Sequence, residues 1–264
     1  MSTSNKYNRF IILLLLLVVS NDVCLCTHLN VNATLNEPGF LPAVATWYGS
    51  PTGSGSGGAC GFGNDVINAP YYGMISAGNA NLFRSGVGCG ACYMVRCRDN
   101  PACSGNPIHV TITDECPGLC NNEPFHFDLS GKAFGYLAKP GHEEELRNAG
   151  RINIQYTSVR CYYNAYLAVK ISLGSNPYYL AMVVENVNGE GEIDRIEIKG
   201  QGWQSWGYMQ RDWGETWKFN VPSGTTGPFS FRFTDRSSQS VVAYGLIPAN
   251  WTPGKTYYST TNFF

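Results

Sequence analysis

The second half of the chain alternates apolar and polar positions with a period of two, which is typical of half-buried β-strands. In YLAVKISLG the pattern predicts an apolar face of Leu167, Val169, Ile171 and Leu173 against a second face of Ala168, Lys170 and Ser172. RIEIKG and FSFRF repeat it, and Gly, Pro, Asn and Asp separate these segments. Because several short strands follow one another without a helical pattern, we predict a β-sandwich of about 100 residues here.

The first half is richer in glycine and less regular. YGSPTGSGSGGACGFG is typical of turns and loops, whereas HVTITD and RINIQYTSV alternate as strands do. One short helix is predicted in GHEEELRNAG, with carboxylates in its first turn and Gly150 as its stop. This half is therefore predicted to be a small barrel.

The N-terminus resembles an export signal. Lys6 and Arg9 precede the apolar run FIILLLLLVVS, which is too short to span a bilayer comfortably. Cleavage is expected between Ser20 and Thr27, so Cys24 and Cys26 are expected to be removed with the signal.

Eight cysteines then remain in the mature chain: Cys60, Cys89, Cys92, Cys97, Cys103, Cys116, Cys120 and Cys161. An even number in an exported protein predicts four disulfides. None lies beyond Cys161, which places a domain boundary near CYYNAY. The predicted organisation is a signal peptide (1–26), a leader (27–42), a barrel (43–161), a linker (162–165) and a sandwich (166–264).

Composition narrows the class of partner. Of 264 residues 44% are hydrophobic and only 14% charged, and the net charge is −1. Such a chain has no strong field to attract nucleic acid or an anionic membrane, so a neutral partner is expected. The sequon at Asn32 is predicted to be glycosylated, whereas the one at Asn250, with Pro253 just beyond it, is left open.

Two kinds of catalytic or metal chemistry are disfavoured. Cys89-Gly-Ala-Cys92 has the spacing of a zinc ligand pair, but no second such pair exists. A Gly-x-Ser-x-Gly nucleophile motif is absent too. We therefore expect neither a metal nor a cofactor.

Two carboxylates remain as candidates. Asp114 closes the strand HVTITD, and Asp128 lies between Phe127 and Leu129 in EPFHFDLSGKAFG. An acid and a base about 6.5–9.5 Å apart would suit inverting glycoside hydrolysis. Alternatively, either aspartate caps a turn. His126 is expected to pack or hydrogen-bond rather than act as a base.

Aromatic residues suggest sugar stacking. Trp47 and Tyr48 precede the glycine-rich loop, and Trp206 and Tyr208 flank Gly207 among polar neighbours, as an exposed platform would. A buried strand is the alternative for Trp47. The remaining candidates, Trp203 and Trp213, are expected to pack in the core.

These segments together resemble the β-expansins of plant cell walls. The matching motifs are ATWYG, GGACGFG, NLFRSGVGCGACYMVRC, TITDECPG, HFDLSGKAFG, RNAGRINIQY, GPFSFRF and PANWTPGKTY. The resemblance implies a mainly β protein in which a six-stranded double-psi β-barrel, related to glycoside hydrolase family 45, precedes an immunoglobulin-like β-sandwich. It also implies a secreted, monomeric wall protein that binds matrix arabinoxylan and cellulose and loosens the wall without hydrolysis.

The resemblance also implies roles for single residues. Thr46, Tyr48, Asp114 and Asp128 match the polar groove of the family, with Trp47 beside them and Asp128 at the position of the hydrolase proton donor. The implied aromatic surface of the second domain is Tyr179, which adjoins Tyr178, and Trp206. The implied disulfides are Cys60–Cys89, Cys92–Cys161, Cys97–Cys103 and Cys116–Cys120.

The chain departs from the family in one respect. GSGSGG lacks the aspartate that related β-expansins often carry, and ATWYGS offers no carboxylate for a hydrolytic base. Asp128 is therefore expected to have only Asp114 as a hydrogen-bonding companion. Two alternatives stay open, a weak endoglucanase or xylanase with Asp128 as acid and Asp114 as base, and a binding or surface protein without loosening activity.

Overall fold

The computed structural model describes residues 39–264, which form two β-domains within one compact unit. The predicted signal peptide, the two N-terminal cysteines, the Asn32 sequon and most of the leader lie outside the described residues. The first strand begins at Leu41, two positions before the predicted start of the barrel.

The first domain is a closed six-stranded barrel. Its strands are β1 (Leu41–Tyr48), β2 (Ile75–Gly78), β3 (Cys92–Arg96), β4 (Ile108–Glu115), β5 (His126–Ser130) and β6 (Ile152–Val159). They follow the order β1-β5-β2-β4-β3-β6, and β1 pairs with β6 to close the barrel. The pairs β1–β5 and β2–β4 are parallel, so strands distant in sequence become neighbours. Closure removes exposed edges and surrounds a core that includes Phe127, Leu129 and Ile112.

Three short α-helices lie between the barrel strands in sequence: α1 (Ala80–Phe83), α2 (Gly131–Tyr136) and α3 (Glu143–Ala149). The predicted helix is confirmed as α3, with three glutamates in its first turn and Gly150 after its end. The sequence did not indicate α1 and α2. Ser130 caps the N-terminus of α2: its hydroxyl accepts a hydrogen bond from the Ala133 amide at 3.0 Å.

The second domain is the predicted β-sandwich. One sheet has the order β10 (Gly207–Tyr208), β9 (Ile193–Lys199), β13 (Phe229–Asp235), β14 (Ser240–Ile247). The other has the order β11 (Gln210–Trp213), β12 (Thr216–Asn220), β8 (Tyr179–Glu185), β7 (Ala168–Ile171), β15 (Thr256–Tyr258). Phe231, Phe233, Met182 and Trp217 fill the space between the sheets.

The two faces predicted for YLAVKISLG are confirmed except at Leu173 and Ala168. Leu167, Val169 and Ile171 are buried, but Leu173 is 84% exposed because β7 ends at Ile171. Ala168, predicted for the polar face, is buried. The outer face of this sheet lies against the barrel here, where Lys170 Nζ meets Asp65 Oδ2 at 2.5 Å.

Four disulfides crosslink the described residues: Cys60–Cys89, Cys92–Cys161, Cys97–Cys103 and Cys116–Cys120. They are the pairs that the family resemblance implies. Each closes a loop within the irregular first half, where the strands are short and a covalent link limits the freedom of the unfolded chain.

Cys161 fastens the two domains to each other. Its side chain is bonded to Cys92 of the barrel, and its backbone exchanges two hydrogen bonds with Gly189 of the sandwich, at 2.7 and 3.0 Å. Across the same junction Arg84 pairs with Glu192. The relative orientation of barrel and sandwich is therefore set by the backbone hydrogen bonds of Cys161, which its disulfide anchors in the barrel, and by this ion pair.

Candidate functional site

One residue from each of four neighbouring barrel strands lies in a row across the sheet. In the order β1-β5-β2-β4, Thr46 is paired with Asp128, Asp128 with Ala77, and Ala77 with Asp114. Residues that pair directly project to the same side of a sheet. The barrel thus brings together three of the predicted groove residues, although they come from three separate parts of the sequence.

Thr46 holds the carboxyl group of Asp128. The Thr46 hydroxyl donates a hydrogen bond to Asp128 Oδ1 at 2.5 Å and lies 2.8 Å from His126 Nε2. Because the hydroxyl has one proton, which it gives to Asp128, His126 must donate to Thr46 through Nε2–H. His126 is therefore a buried hydrogen-bonding residue, as predicted, and acts on Asp128 through Thr46.

The surroundings of Asp128 favour its protonated form. Burial raises the pKa of the Asp128 carboxyl, the charge of Asp114 adds to this rise, and the Thr46 hydrogen bond opposes it. Burial also lowers the pKa of His126, which favours the neutral imidazole. The site therefore combines a carboxyl group that retains its proton above the usual pH range with a neutral histidine.

Asp114 is occupied by the glycine-rich loop. Its Oδ1 accepts hydrogen bonds from the Ala59 amide at 2.7 Å and the Glu115 amide at 2.8 Å. Gly58 lies so close that a Cβ there would overlap the Asp114 carboxyl group. Asp114 is thus a loop cap. Within residues 39–264 it has no hydrogen bond to Asp128, so the prediction that it is a hydrogen-bonding companion of Asp128 is wrong.

The backbones of the two aspartates are well separated. Asp128 and Asp114 lie on either side of Ala77, so their backbones are two strand spacings apart, about 10 Å. Asp114 Oδ1 already accepts two amide hydrogen bonds, so this oxygen is not free to take a proton from water.

Tyr48 continues the row along β1 on the same side as Thr46. Its hydroxyl donates to the Ser56 carbonyl and accepts from the Ser56 amide, both at 3.3 Å. Burial raises the pKa of Tyr48 to about 12, so the phenol stays neutral. Tyr48 therefore positions the glycine-rich loop beside Asp114 and keeps part of its ring accessible.

Trp47 lies on the opposite face of β1. Its indole Nε1 donates to the Arg147 carbonyl at 3.1 Å, and its ring lies 6.5 Å from that of Phe134. This half-buried tryptophan fixes α2 and α3 against the barrel. The structure thus supports the alternative interpretation of Trp47 as a packing residue.

The two predicted aromatic residues of the sandwich do not share a surface. Tyr179 begins β8 of the five-stranded sheet, whereas Trp206 precedes β10 of the other sheet. The outer faces of a sandwich point away from each other. The Arg232 guanidinium also lies 4.6 Å from the centre of the Trp206 ring and covers one of its faces. A single platform of Tyr179 and Trp206 is therefore ruled out.

The exposed tryptophan on the face that carries Tyr179 is Trp213, not Trp206. It was predicted to be a core residue, but it is 50% exposed. A β-bulge between Arg211 and Trp213 pairs Trp213 with Thr216 and so turns it to the outer face. Strict alternation would have placed it on the inner face with Trp217, which is why the sequence pattern failed.

Trp213 also meets the barrel. A Cβ on Gly61 would lie 3.2 Å from Trp213 Cη2, and the Glu215 amide donates to the Cys60 carbonyl at 3.0 Å. Gly58–Cys60 is the segment that contacts Asp114. Strand pairing and these contacts connect Asp128 and Asp114, through this loop, to Trp213 on the face that carries Tyr179. These residues together are called here the groove.

Nothing in this part of the chain has the geometry of a metal site: among residues 39–264 no three His, Cys, Asp or Glu residues cluster as ligands would. Nor does this region contain a helix that is both long and apolar enough to cross a membrane.

Comparisons with known families agree with the two-domain architecture. Residues 167–248 match the model of the expansin C-terminal domain, and residues 75–156 match a double-psi barrel model described as lytic transglycolase. An expansin of Clavibacter michiganensis superposes with a TM-score of 0.65 at 25% identity, covering 85% of this chain and 98% of its own. A mutant of that expansin, in complex with cellohexaose, superposes with a TM-score of 0.66.

Curated relatives match nearly the whole sequence. Expansin-B4 of Arabidopsis thaliana is 48% identical over 259 residues, which cover 97% of this chain and 98% of the relative. Expansin-B1 of Zea mays is 45% identical over 242 residues, which cover 88% of each chain. Identity at this level over both domains leaves one conclusion: the chain belongs to the expansin family and to its β-expansin branch.

Proposed function

We propose that this protein loosens plant cell walls by binding neutral polysaccharides along the groove and releasing their contacts with neighbouring polymers, without cutting them. The observation that carries this proposal is the pairing of Asp128, whose pKa burial raises, with an Asp114 that is tied to backbone amides. Such a site has a proton donor, whereas the Asp114 oxygen that the loop and Glu115 amides occupy is not free to activate water.

Binding to a β-linked glucan has independent support. The Clavibacter michiganensis expansin mutant that shares this fold holds cellohexaose. In this chain Trp213 and Tyr179 offer aromatic rings on one face, and flat rings suit the apolar faces of sugars. The charge of −1 also fits a neutral ligand. Cellulose and matrix arabinoxylan are the proposed partners.

The maturation and organisation of the chain are part of the proposal. Residues 1–26 would direct export to the wall and be removed, and Asn32 would carry a glycan on the leader (27–42). The mature monomer would consist of the barrel (43–161), the linker (162–165) and the sandwich (166–264). The four disulfides support an extracellular location.

A constant-load extension assay on heat-killed walls tests the function. We expect the purified protein to extend walls in acidic buffer, without releasing reducing ends from purified glucan or xylan. Walls that do not extend would contradict loosening and favour a surface protein that only binds.

Hydrolysis is the second candidate, because two aspartates lie on strands whose backbones are about 10 Å apart and the barrel matches the lytic transglycolase model. Release of reducing ends in proportion to extension would establish it. Loss of that release in an Asp114→Asn variant would identify Asp114 as its base.

The aromatic pair of the groove makes a separate prediction. Trp213→Ala is expected to lower retention on insoluble cellulose or xylan about tenfold, because one exposed ring supplies about 1–1.5 kcal/mol of stacking. Tyr179→Ala should act in the same direction. Trp206→Ala is the matched control, since its ring lies on the other sheet. Equal retention of the Trp213 and Trp206 variants would remove Trp213 from the groove.

A further inference from the structure

A second cavity lies on the barrel, between the start of the glycine-rich loop and the helices α2 and α3. Its volume is about 650 Å³, within the range of small-molecule sites. Its lining includes hydroxyl groups, an aromatic ring and charged groups, on Thr52, Ser54, Lys132, Tyr136, Glu143 and Arg147. This site is called here the helix cavity.

The glycine-rich loop connects the helix cavity with the groove. Thr52 and Ser54, early in the loop, line the cavity, whereas the Ala59 amide, later in the loop, donates to Asp114. The Lys132 amide donates to the backbone of the loop at 3.1 Å and holds it against α2. A polymer in the groove therefore passes beside the loop that forms one wall of this cavity.

Arg147 is held in place and keeps one nitrogen available. Its Nε and Nη2 both donate to the Gly131 carbonyl, each at 3.3 Å. A Cβ on Gly135 would overlap Nη2, so the guanidinium lies directly on α2. Because the guanidinium is planar, Nη1 points away from Gly131. Within residues 39–264 Nη1 has no hydrogen-bond partner and is not among the buried atoms, so a ligand can reach it.

The helix cavity is locally positive. Lys132 Nζ donates to the Tyr72 carbonyl at 2.6 Å, and in the described part of the chain neither Lys132 nor Arg147 forms an ion pair. Glu143 Oε1 accepts from the Gly141 amide at 3.2 Å. The lining thus holds two cations and one carboxylate, although the whole chain has a charge of −1. An arginine that is already positioned suits a carboxylate ligand, because charge-assisted hydrogen bonds are strong.

The uncharged lining groups suit a sugar. Thr52 and Tyr136 are exposed and Ser54 is half-buried. Among the residues that the structure describes, the hydroxyls of these three side chains have no partner. They can donate to and accept from sugar hydroxyls, and the Tyr136 ring can stack on the apolar face of a sugar. Hydroxyls, one ring and two cations together match a sugar that carries a carboxylate.

We propose that the helix cavity binds a uronic acid residue, whose carboxylate meets Arg147 and Lys132. The inference rests on the proposed function, because the uronic acid would be a branch of a polysaccharide whose neutral main chain lies in the groove. The groove would then hold the polymer by stacking, and the helix cavity would select polymers with acidic branches.

The test is a titration of the full-length mature protein with the methyl glycosides of glucuronic and galacturonic acid, followed by the NMR shift of the Tyr136 amide. We expect a saturable shift with at least one of them, and the comparison identifies which uronic acid fits. The methyl glycosides of glucose and galactose, which lack the carboxylate, should bind about tenfold more weakly. Added salt should weaken the binding of the acidic sugar.

Charge variants separate this site from a general attraction. Lys132→Gln should weaken binding of the acidic sugar about tenfold. It is preferred to a variant of Arg147, which also holds Gly131. Glu143→Gln removes a repelling carboxylate and should tighten binding. Lys255→Gln, at an exposed lysine of the sandwich, is the matched control and should bind like the wild type.

Three results would overturn the proposal: no saturable shift with either acidic sugar, equal affinity for acidic and neutral sugars, or wild-type affinity in Lys132→Gln. The proposed function is judged separately, by wall extension and by retention on cellulose, which has no acidic branches. Failed extension with intact uronic acid binding would refute the proposed function alone. Normal extension without uronic acid binding would refute the helix cavity alone.

Discussion

Replacement of Asp128 by asparagine is expected to abolish wall extension while retention on polysaccharide stays within about twofold of the wild type. Asparagine keeps the size of the side chain and an oxygen that can accept from Thr46, but it has no acidic proton. Because the carboxyl group is proposed to act in its protonated form, extension depends on that proton, whereas stacking on Trp213 and Tyr179 does not. Extension by the asparagine variant at the wild-type rate would refute the role of Asp128.

Thr46 provides the matched control for this assignment. Its hydrogen bond lowers the pKa of Asp128, so Thr46→Val should raise that pKa and move the falling limb of the extension–pH profile to higher pH. Thr46→Ser keeps the hydroxyl and should restore the wild-type profile. A lower rate with an unmoved profile would show that Thr46 only supports the barrel.

The second large effect concerns stability. The folded protein is expected to lose up to about 5 kcal/mol of unfolding free energy between pH 4.5 and 8 through Glu185 alone, because burial raises its pKa from 4.5 to about 8. In that window the folded state keeps the proton and the unfolded state releases it. The contribution of Glu185 is therefore complete below pH 4.5 and falls as the pH rises to about 8.

Glu185→Gln should flatten this dependence, since glutamine resembles the protonated acid and cannot ionise. Urea unfolding at pH 5 and pH 8.5 measures the difference. Part of the slope should remain, because burial also raises the pKa of Glu215 to about 7. Glu144→Gln, an exposed glutamate of α3, is the control and should leave the slope unchanged. An unchanged slope in the Glu185 variant would show that Glu185 is already ionised in the folded protein.

The sequence was informative wherever local spacing decides the structure. The two-residue period of HVTITD and RINIQYTSV predicted β4 and β6, and the acidic first turn before Gly150 predicted α3. The family motifs added the barrel topology, which local patterns do not contain. No periodicity indicates that Thr46 pairs with Asp128, because parallel pairing joins distant segments.

The misplaced site residues have particular physical causes. Trp213 faces outward because of one β-bulge, and a bulge leaves no clear mark in the pattern of apolar residues. Asp114 was identified as a candidate, but its partners are backbone amides of a glycine-rich loop, which a sequence motif cannot reveal.

The connection between the two domains at Cys161 has a mechanical consequence. A polymer that is bound across both domains and stretched by turgor would pull the sandwich away from the barrel. Since Cys161 is bonded to Cys92 on one side and hydrogen-bonded to Gly189 on the other, the load passes through a short, stiff connection. Under tension the protein would thus shift as one rigid body, and slippage would be confined to its contact with the polymer.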